Sequence, residues 1–113
     1  MAEQLQAEDN KLVVLARSTR ARTGAAQGAA LRDQDGRTYA GATVDLPSLQ
    51  VSALDVCIAM AVASGSKGVE AAVVLGEDDV TDADLAALRD FAGAGVPVHT
   101  GEPNGTIGRT LAT

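Results

Sequence analysis

The sequence predicts an α/β domain in which a mixed β-sheet carries helices on both faces. A helix-like segment precedes a hairpin pattern, "GAALRDQDGRTYAGATV", over residues 28–44. Beyond this hairpin, helical and extended runs alternate, which favours parallel strands joined by right-handed crossovers. One of these runs, "VEAAVVLG" over 69–76, is almost wholly apolar, as expected of a strand buried on both faces.

The first predicted helix covers roughly residues 9–23. Residues 8–10, "EDN", supply a capping side chain and acids at the positive end of the helix. Apolar residues then recur at helical spacing, and Gly24 provides a stop. In the hairpin that follows, Asp35-Gly36 tolerates positive φ and predicts the turn.

The remaining elements are bounded by prolines, glycines and helix-capping residues. Pro47 is expected to end the extended chain after the hairpin. The predicted elements are a helix over 52–64, a strand over 69–76, a helix over about 81–92, a strand over 96–100, and a last strand or helical turn over 106–111. The whole chain, 1–113, is expected to form one domain with flexible ends over 1–8 and 110–113.

Composition excludes several functional classes. The net charge is −6, with one Phe, one Tyr and no Trp, which disfavours both phosphate tracking and base stacking, so we expect no nucleic-acid partner. No apolar run approaches the roughly 18 residues of a membrane span, so we expect no membrane partner. The polar start "MAEQLQAEDN" does not resemble a signal peptide, and a single cysteine excludes an intrachain disulfide. A cytoplasmic location is therefore expected.

Two single residues have reactive side chains. His99 is the only histidine, and strand periodicity puts it on the face opposite Val96 and Val98. A general base needs a partner, and the sequence names none, so a structural role is favoured. Cys57, in the middle of the 52–64 helix, is expected to be a small buried hydrophobe.

Two short segments also have simple structural explanations. "GSKG" over 65–68 has the spacing of a nucleic-acid clamp, but it follows a helix and precedes a strand, as a glycine C-cap does. The acids over 77–84 lack EF-hand spacing and fit a solvated loop that leads into a helix cap.

Several strings, in order along the chain, resemble segments of the small cytidine deaminases. "QGAALRDQDGRTYAGATVD" resembles that family's "VGAAL…DGxxyxGxNVE", "AMAVASG" resembles its helix end "…KAVSEG", and "LRDFAGAGVPV" resembles "…REFgxxxPV". Together the matches span roughly residues 12–107. The resemblance implies a cytidine deaminase-like three-layer α/β/α sandwich, with an antiparallel hairpin followed by parallel strands. It also implies assembly into dimers or tetramers.

The motifs that carry the family's chemistry are missing. In that family three thiolates hold the zinc that activates water, and a glutamate two residues beyond the first thiolate shuttles protons. Aligned through "AVASG" and Phe91, Ser52 stands at the first cysteine, Leu54 at the glutamate, and Thr81 and Asp84 at the other cysteines. Two hydroxyls and a carboxylate bind zinc weakly, and Leu54 cannot carry a proton. The resemblance thus predicts no catalytic residue, no metal and no cofactor.

The substrate side is also reduced. The family's "YAPYSxF" segment is replaced by "RTGAAQ", and its ribose-contacting Asn and Glu correspond to Thr43 and Asp45. These two residues are weak ligand-binding candidates, and the alternative is that Asp45 is only a turn or cap residue. Both helix starts, Ser52–Asp55 and Thr81–Asp84, fit a capping box with Asp in place of Glu.

We favour a zinc-free, non-catalytic protein that acts as an oligomeric scaffold or interaction module. The 52–64 helix supports this because its apolar residues cover every face and must be covered by the sheet, its neighbours or a partner subunit. The partner is expected to be a second copy of the chain, or else an unidentified protein. The alternatives are a nucleoside-binding regulatory protein that uses Thr43 and Asp45, and an active hydrolytic deaminase that converts cytidine to uridine. The latter would hold a metal through His99, Asp84 and Cys57.

Overall fold

The computed structural model describes residues 5–113, so part of the flexible end expected over 1–8 lies outside the described residues. In chain order the elements are α1 (Ala7–Thr23), β1 (Gln27–Asp33), β2 (Thr38–Ala42), β3 (Val44–Leu46), β4 (Leu49–Val51), α2 (Ala53–Ala63), β5 (Val69–Gly76), α3 (Asp82–Ala92), β6 (Pro97–Gly101) and β7 (Ile107–Ala112). Helix α1 starts two residues before the predicted position, at Ala7. Within this range, no helix is both long and apolar enough to cross a membrane.

The main sheet has the strand order β2-β1-β5-β6-β7. Strand β1 pairs antiparallel with β2 and β5, while β5 and β6 are parallel. Helix α3 connects the parallel pair, as a crossover requires. The predicted mixed sheet is confirmed, and Gly36 in the predicted hairpin turn has φ 83°.

Helix α1 covers one face of the sheet. Leu12 and Ala16 pack on a cluster that contains Ala30, Val73 and Ile107. The helix crosses β1 closely, because a β-carbon at Gly28 would lie 2.2 Å from the carbonyl oxygen of Ala16.

Helices α2 and α3 cover the opposite face. Leu54 and Cys57 of α2 and Leu88 of α3 belong to one buried cluster with Leu31 and Val74 of the sheet. Consecutive strand residues such as Val73 and Val74 therefore serve different clusters, as the period of two requires. The prediction of helices on both faces is confirmed.

A second small hairpin was not predicted from the sequence. Strands β3 and β4 pair antiparallel over three residues each, and Pro47-Ser48 forms the turn between them. Pro47 ends a strand as predicted, but the chain then returns as β4 before α2 begins. Strands this short carry no readable periodicity, and the side chains of Leu46 and Leu49 are exposed.

The C-terminal segment forms the last strand of the main sheet. Strand β7 pairs antiparallel with β6, because the loop over 102–106 is too short for a crossover. The sequence predicted a flexible end over 110–113, but the structure pairs Thr110 with His99 and Ala112 with Pro97. The backbone N–H of Thr113 also donates to the carbonyl of Val96 at 3.1 Å.

Candidate functional site

A pocket of about 520 Å³ lies at the N-terminal ends of α2 and α3. Five of the residues selected from the sequence line it: Thr43, Asp45, Ser52, Thr81 and Asp84. The sixth, Leu54, is absent from the lining and lies in the core with 0% exposure. The helix-capping residues and the two residues aligned with the family's ribose contacts therefore line one pocket. Leu54 does not contribute to it.

Ser52, Thr81 and Asp84 form a hydrogen-bonded group that we call the helix-end cluster. The hydroxyl of Ser52 donates to Oδ1 of Asp84 at 2.8 Å, across the gap between the two helices. Within α3, the backbone N–H of Asp84 donates to Oγ1 of Thr81 at 3.1 Å, and Oδ2 of Asp84 accepts from the Thr81 N–H at 3.2 Å. Each helix start is thus closed by its own cap, and the two caps also bind each other.

The two predicted capping boxes differ in the structure. Thr81 and Asp84 form the complete reciprocal box. Oγ of Ser52 accepts from the Asp55 N–H at 3.1 Å, but the return bond from the Asp55 side chain is not made. Oδ1 of Asp55 is buried and has no hydrogen-bond partner within residues 5–113. Burial, and then the charge of Asp84, raise the pKa of Asp55.

The helix-end cluster does not fit the zinc ion that the resembled family holds. Its donor set is two neutral hydroxyls and one carboxylate, whereas zinc sites in proteins use thiolate, imidazole and carboxylate. Both oxygens of Asp84 and both hydroxyl oxygens already take part in hydrogen bonds. In the part of the chain that the structure describes, no group of three His, Cys, Asp or Glu side chains is placed to hold a metal ion.

Thr43 and Asp45 line the pocket from the strand side. Oγ1 of Thr43 accepts from the backbone N–H of Gln27 at 3.0 Å. Asp45 lies within β3 opposite Gln50, so it is neither a turn nor a cap residue, and its side chain is exposed. Thr43 is therefore held in place by β1, whereas the carboxylate of Asp45 faces solvent at the pocket rim.

Several lining residues were missed from the sequence. Gln27 is buried, and its Nε2 donates to the carbonyls of Asp78 and Asp79 at 2.9 and 3.3 Å, which holds the loop after β5 against the pocket. Asp55 was assigned only a capping role, although it also lines the pocket. The acids over 77–84 were assigned to a solvated loop, and their position beside α2 has no signal in a single sequence.

The charge of the pocket restricts what it can bind. Five aspartates contribute to its lining: Asp45, Asp55, Asp78, Asp79 and Asp84. Among the described lining residues there is no basic and no aromatic side chain. The nearby Arg109 pairs with Asp79 and faces a neighbouring pocket of about 400 Å³. Phosphates and other anions are therefore disfavoured, and no ring is available for base stacking.

His99 and Cys57 lie outside this pocket. His99 faces α1, where its Nε2 hydrogen-bonds with Oδ2 of Asp9 at 2.8 Å, while Val96 and Val98 face the opposite cluster as predicted. Cys57 is fully buried on the α2 side, and burial raises the pKa of its thiol to about 12. The sheet separates His99 from Cys57 and Asp84, so the metal site of the active-deaminase alternative is not assembled.

The "GSKG" segment ends α2. The N–H of Gly65 donates to the carbonyl of Val62 at 3.1 Å, and the N–H of Ser66 donates to that of Ala61 at 3.0 Å. Gly65 has φ 87°, as a glycine at a helix end commonly has. The side chain of Ser66 then turns inward to Asp33.

Comparison with known proteins gives one family. A model of the cytidine deaminase-like family matches residues 5–105. The fold is similar to that of cytidine deaminase from Burkholderia pseudomallei, at 22% identity and a TM-score of 0.80, with 91% of each chain covered. It is also similar to that of the Mycobacterium leprae enzyme, at 19% identity and a TM-score of 0.75, with 95% of this chain and 94% of that chain covered. The fold is similar as well to that of cytidine deaminase from Mycobacterium tuberculosis, at 20% identity and a TM-score of 0.72, with 82% of this chain and 85% of that chain covered. No curated protein matches the sequence.

Proposed function

Because the chain belongs to the cytidine deaminase-like family, we propose that it is a zinc-free, non-catalytic member that serves as an oligomeric scaffold or interaction module. Its partner is a second copy of the chain, and it works in the cytoplasm. The helix-end cluster carries the proposal. The positions that would hold the metal are occupied by two hydroxyls and a carboxylate that hydrogen-bond to each other and to the backbone.

The position of Leu54 supports the absence of catalysis. Deamination needs a group that moves protons between water and the pyrimidine. Leu54, at the position aligned with the glutamate, is apolar and fully buried. Asp55 lines the pocket, but its N–H and the Ser52 hydroxyl form a helix cap, and no metal-activated water would stand beside it.

The exposed side of α2 supports the assembly. The sheet and α3 cover Leu54, Cys57 and Ile58, but Ala59, Val62 and Ala63 remain exposed, Val62 to 53%. These three residues lie on one face at a spacing of three and four residues. A contiguous apolar helix face is the kind of surface that a second copy buries.

One experiment on purified protein tests the lack of catalysis. Zinc is measured by elemental analysis, and cytidine conversion is followed by the fall in its absorbance. We expect no stoichiometric zinc and no conversion, before or after incubation with added zinc. About one zinc per chain together with conversion of cytidine to uridine would contradict the proposal and establish the hydrolytic alternative.

A nucleoside-binding regulatory role is the second candidate, and the pocket beside Thr43 and Asp45 favours it. Asp45 offers a carboxylate at the rim that is able to accept hydrogen bonds from ribose hydroxyls. A thermal-shift screen with nucleosides distinguishes the two functions. A reproducible rise in melting temperature, abolished by Asp45→Ala but kept by Asp90→Ala on the exposed side of α3, would favour ligand binding. An absence of any shift supports the scaffold.

A further inference from the structure

We infer that the helix-end cluster joins α2 to α3 by hydrogen bonds at the place where the family's metal would join them, and that its two hydroxyls and one carboxylate do not fit that metal. The inference goes beyond the proposed function. It holds whether the chain acts as a scaffold or binds a nucleoside, because it concerns what connects the two helices.

Within residues 5–113, the side chains of the helix-end cluster make one hydrogen bond between the two caps, the bond from Ser52 to Asp84. Ser52 precedes α2 and Asp84 lies in the first turn of α3, 32 positions further along the sequence. Asp84 is only 4% exposed. A hydrogen bond to an ionised carboxylate that is shielded from water is stronger than one between neutral groups.

Every side-chain oxygen of the helix-end cluster takes part in at least one hydrogen bond. The single hydroxyl proton of Ser52 is given to Asp84, while Oγ of Ser52 accepts from Asp55. Oγ1 of Thr81 accepts from the Asp84 N–H, and Oδ2 of Asp84 accepts from the Thr81 N–H. A cation entering here would compete with these hydrogen bonds, and a neutral hydroxyl is a weak ligand for zinc.

The cluster also determines the shape of the pocket. Ser52, Thr81 and Asp84 all line it, so a fixed distance between the two helix ends fixes that part of its wall. The carboxylate of Asp84 lies at the positive ends of both helices, where negative charge is stabilising. One buried acid therefore serves two helices.

A double-mutant cycle tests the link. Urea unfolding is measured for Ser52→Ala, Asp84→Ala and the double variant, so that the loss of each separate cap cancels. We expect the unfolding equilibrium constant of the double variant to be roughly tenfold smaller than the value calculated from independent single effects. The reason is that the hydrogen bond to the charged group is lost only once in the double variant. Independent, multiplying effects would overturn the link.

The matched control combines Ser52→Ala with Thr23→Ala. Oγ1 of Thr23 donates to the carbonyl of Thr19 in the last turn of α1, on the other face of the sheet. This pair should show no coupling, because side chains that share no partner act independently. Coupling as large as that between Ser52 and Asp84 would overturn the inference, since the excess would then not come from a direct contact.

A cysteine graft tests the relation to the metal. The variant Ser52→Cys, Thr81→Cys, Asp84→Cys places three thiols where the cluster converges, and we expect it to retain about one zinc per chain. A chelator should lower its melting temperature and leave that of the unmodified protein unchanged. A folded graft that binds no zinc would overturn the convergence of the three positions. Should the graft not fold, a fall in the melting temperature of the unmodified protein with chelator would overturn the inference, and no change would support it.

The outcomes of the double-mutant cycle are separate from those of the proposed function, whereas a metal bound by the unmodified protein would contradict both. A monomeric protein, or one that binds nucleosides, would remove the scaffold proposal and leave the double-mutant cycle unaffected. A missing coupling between Ser52 and Asp84 would remove the link and leave the scaffold standing.

Discussion

Nε2 of His99 lies 2.8 Å from Oδ2 of Asp9, although the two are 90 positions apart in the sequence. Asp9 is in the first turn of α1 and His99 is in β6, so the bond joins the N-terminal helix to the strand beside the edge strand β7. Oδ1 of the same carboxylate accepts from Nη2 of Arg32 in β1 at 3.0 Å, and Arg32 also reaches Glu70 in β5. The other ring nitrogen of His99 hydrogen-bonds with Thr110 in β7 at 2.7 Å.

Replacing Asp9 by Asn should destabilise the protein by about 2 kcal/mol at neutral pH, because a charged hydrogen-bond acceptor for both Arg32 and His99 is lost. Burial raises the pKa of Asp9, but the bonds from His99 and Arg32 outweigh burial and lower it. Asp9 therefore stabilises above its unfolded-chain pKa, and this contribution is lost as pH falls through the lowered value. Urea unfolding from neutral to acid pH should show the two proteins converging. A constant difference at all pH values would contradict this.

Replacing Asp55 by Asn should raise the melting temperature at neutral pH. The pKa of Asp55 is raised, so its ionised form is less favourable in the folded protein than in the unfolded chain. The cost is absent below the unfolded-chain pKa of 3.8 and grows as pH rises through the raised value. The gain should therefore vanish at about pH 3. Asp82→Asn, in the exposed first turn of α3, serves as the control and should not raise the melting temperature.

Asp33 should account for part of the stability that the protein loses as the pH falls into the acid range. It is 1% exposed, and Oδ2 accepts from the Ser66 hydroxyl at 2.6 Å while Oδ1 accepts from the N–H groups of Asp35 and Arg37. The hydrogen bond from Ser66 lowers the pKa of Asp33. Burial acts in the opposite direction but has the smaller effect. Its contribution is thus present above the unfolded-chain value of 3.8 and is lost as pH falls further. Ser66→Ala should shift the loss of stability to higher pH, as followed by circular dichroism. If the variant and the unmodified protein lost stability over the same range of acid pH, Ser66 would not lower the pKa of Asp33.

The two helix caps should contribute similar amounts by themselves. Thr81→Ala should cost about 1 kcal/mol in the free energy of unfolding. Ser52→Ala should cost about 2 to 3 kcal/mol, because it removes a cap and also breaks the bond to Asp84. Chemical denaturation measures both. Substituting the exposed Thr38, at the start of β2, is the comparison for a hydroxyl that caps no helix. Equal melting of Thr81→Ala and the unmodified protein would show that Thr81 does not cap α3.

Assembly should depend on the exposed side of α2. Val62→Glu puts a charge in the middle of the apolar face, so it should convert an oligomer to a monomer in light scattering after size exclusion. Val14, on α1, is 62% exposed, and Val14→Glu is the matched control that should leave assembly unchanged. If Val14→Glu dissociated the oligomer and Val62→Glu did not, the interface would lie on the α1 face of the sheet and the prediction would be wrong.

Local features of this chain were readable from its sequence. The capping residue of α3 is followed three positions later by Asp84, and both partners of the box lie within four residues of chain. The hairpin between β1 and β2 is set by a turn pair and two extended runs, and the structure pairs them in register from Gly28–Ala42 to Arg32–Thr38. Such signals need no knowledge of distant residues, so periodicity and turn chemistry suffice.

Contacts between distant segments were not readable. The sequence named no partner for His99, because Asp9 approaches it only after α1 folds onto the sheet. In the same way, the sequence assigned Ser52 and Asp84 to two separate caps, and only the packing of α2 against α3 brings them together. The pocket was anticipated through Thr43 and Asp45, but Gln27 and Asp55 joined it without any local signal.

If the proposed non-catalytic function holds, the burial of Leu54 makes a return to the family's chemistry costly. Its side chain fills space between α2 and the sheet with no exposure to water. A single change to glutamate would place a carboxylate in an apolar core without a partner, at a cost of several kcal/mol, comparable to the whole stability of a small domain. The positions aligned with the thiolates, Ser52, Thr81 and Asp84, line the pocket and have polar partners there, whereas Leu54 has none. A return to the family's chemistry would therefore require the core between α2 and the sheet to be rebuilt, in addition to the exchange of one side chain.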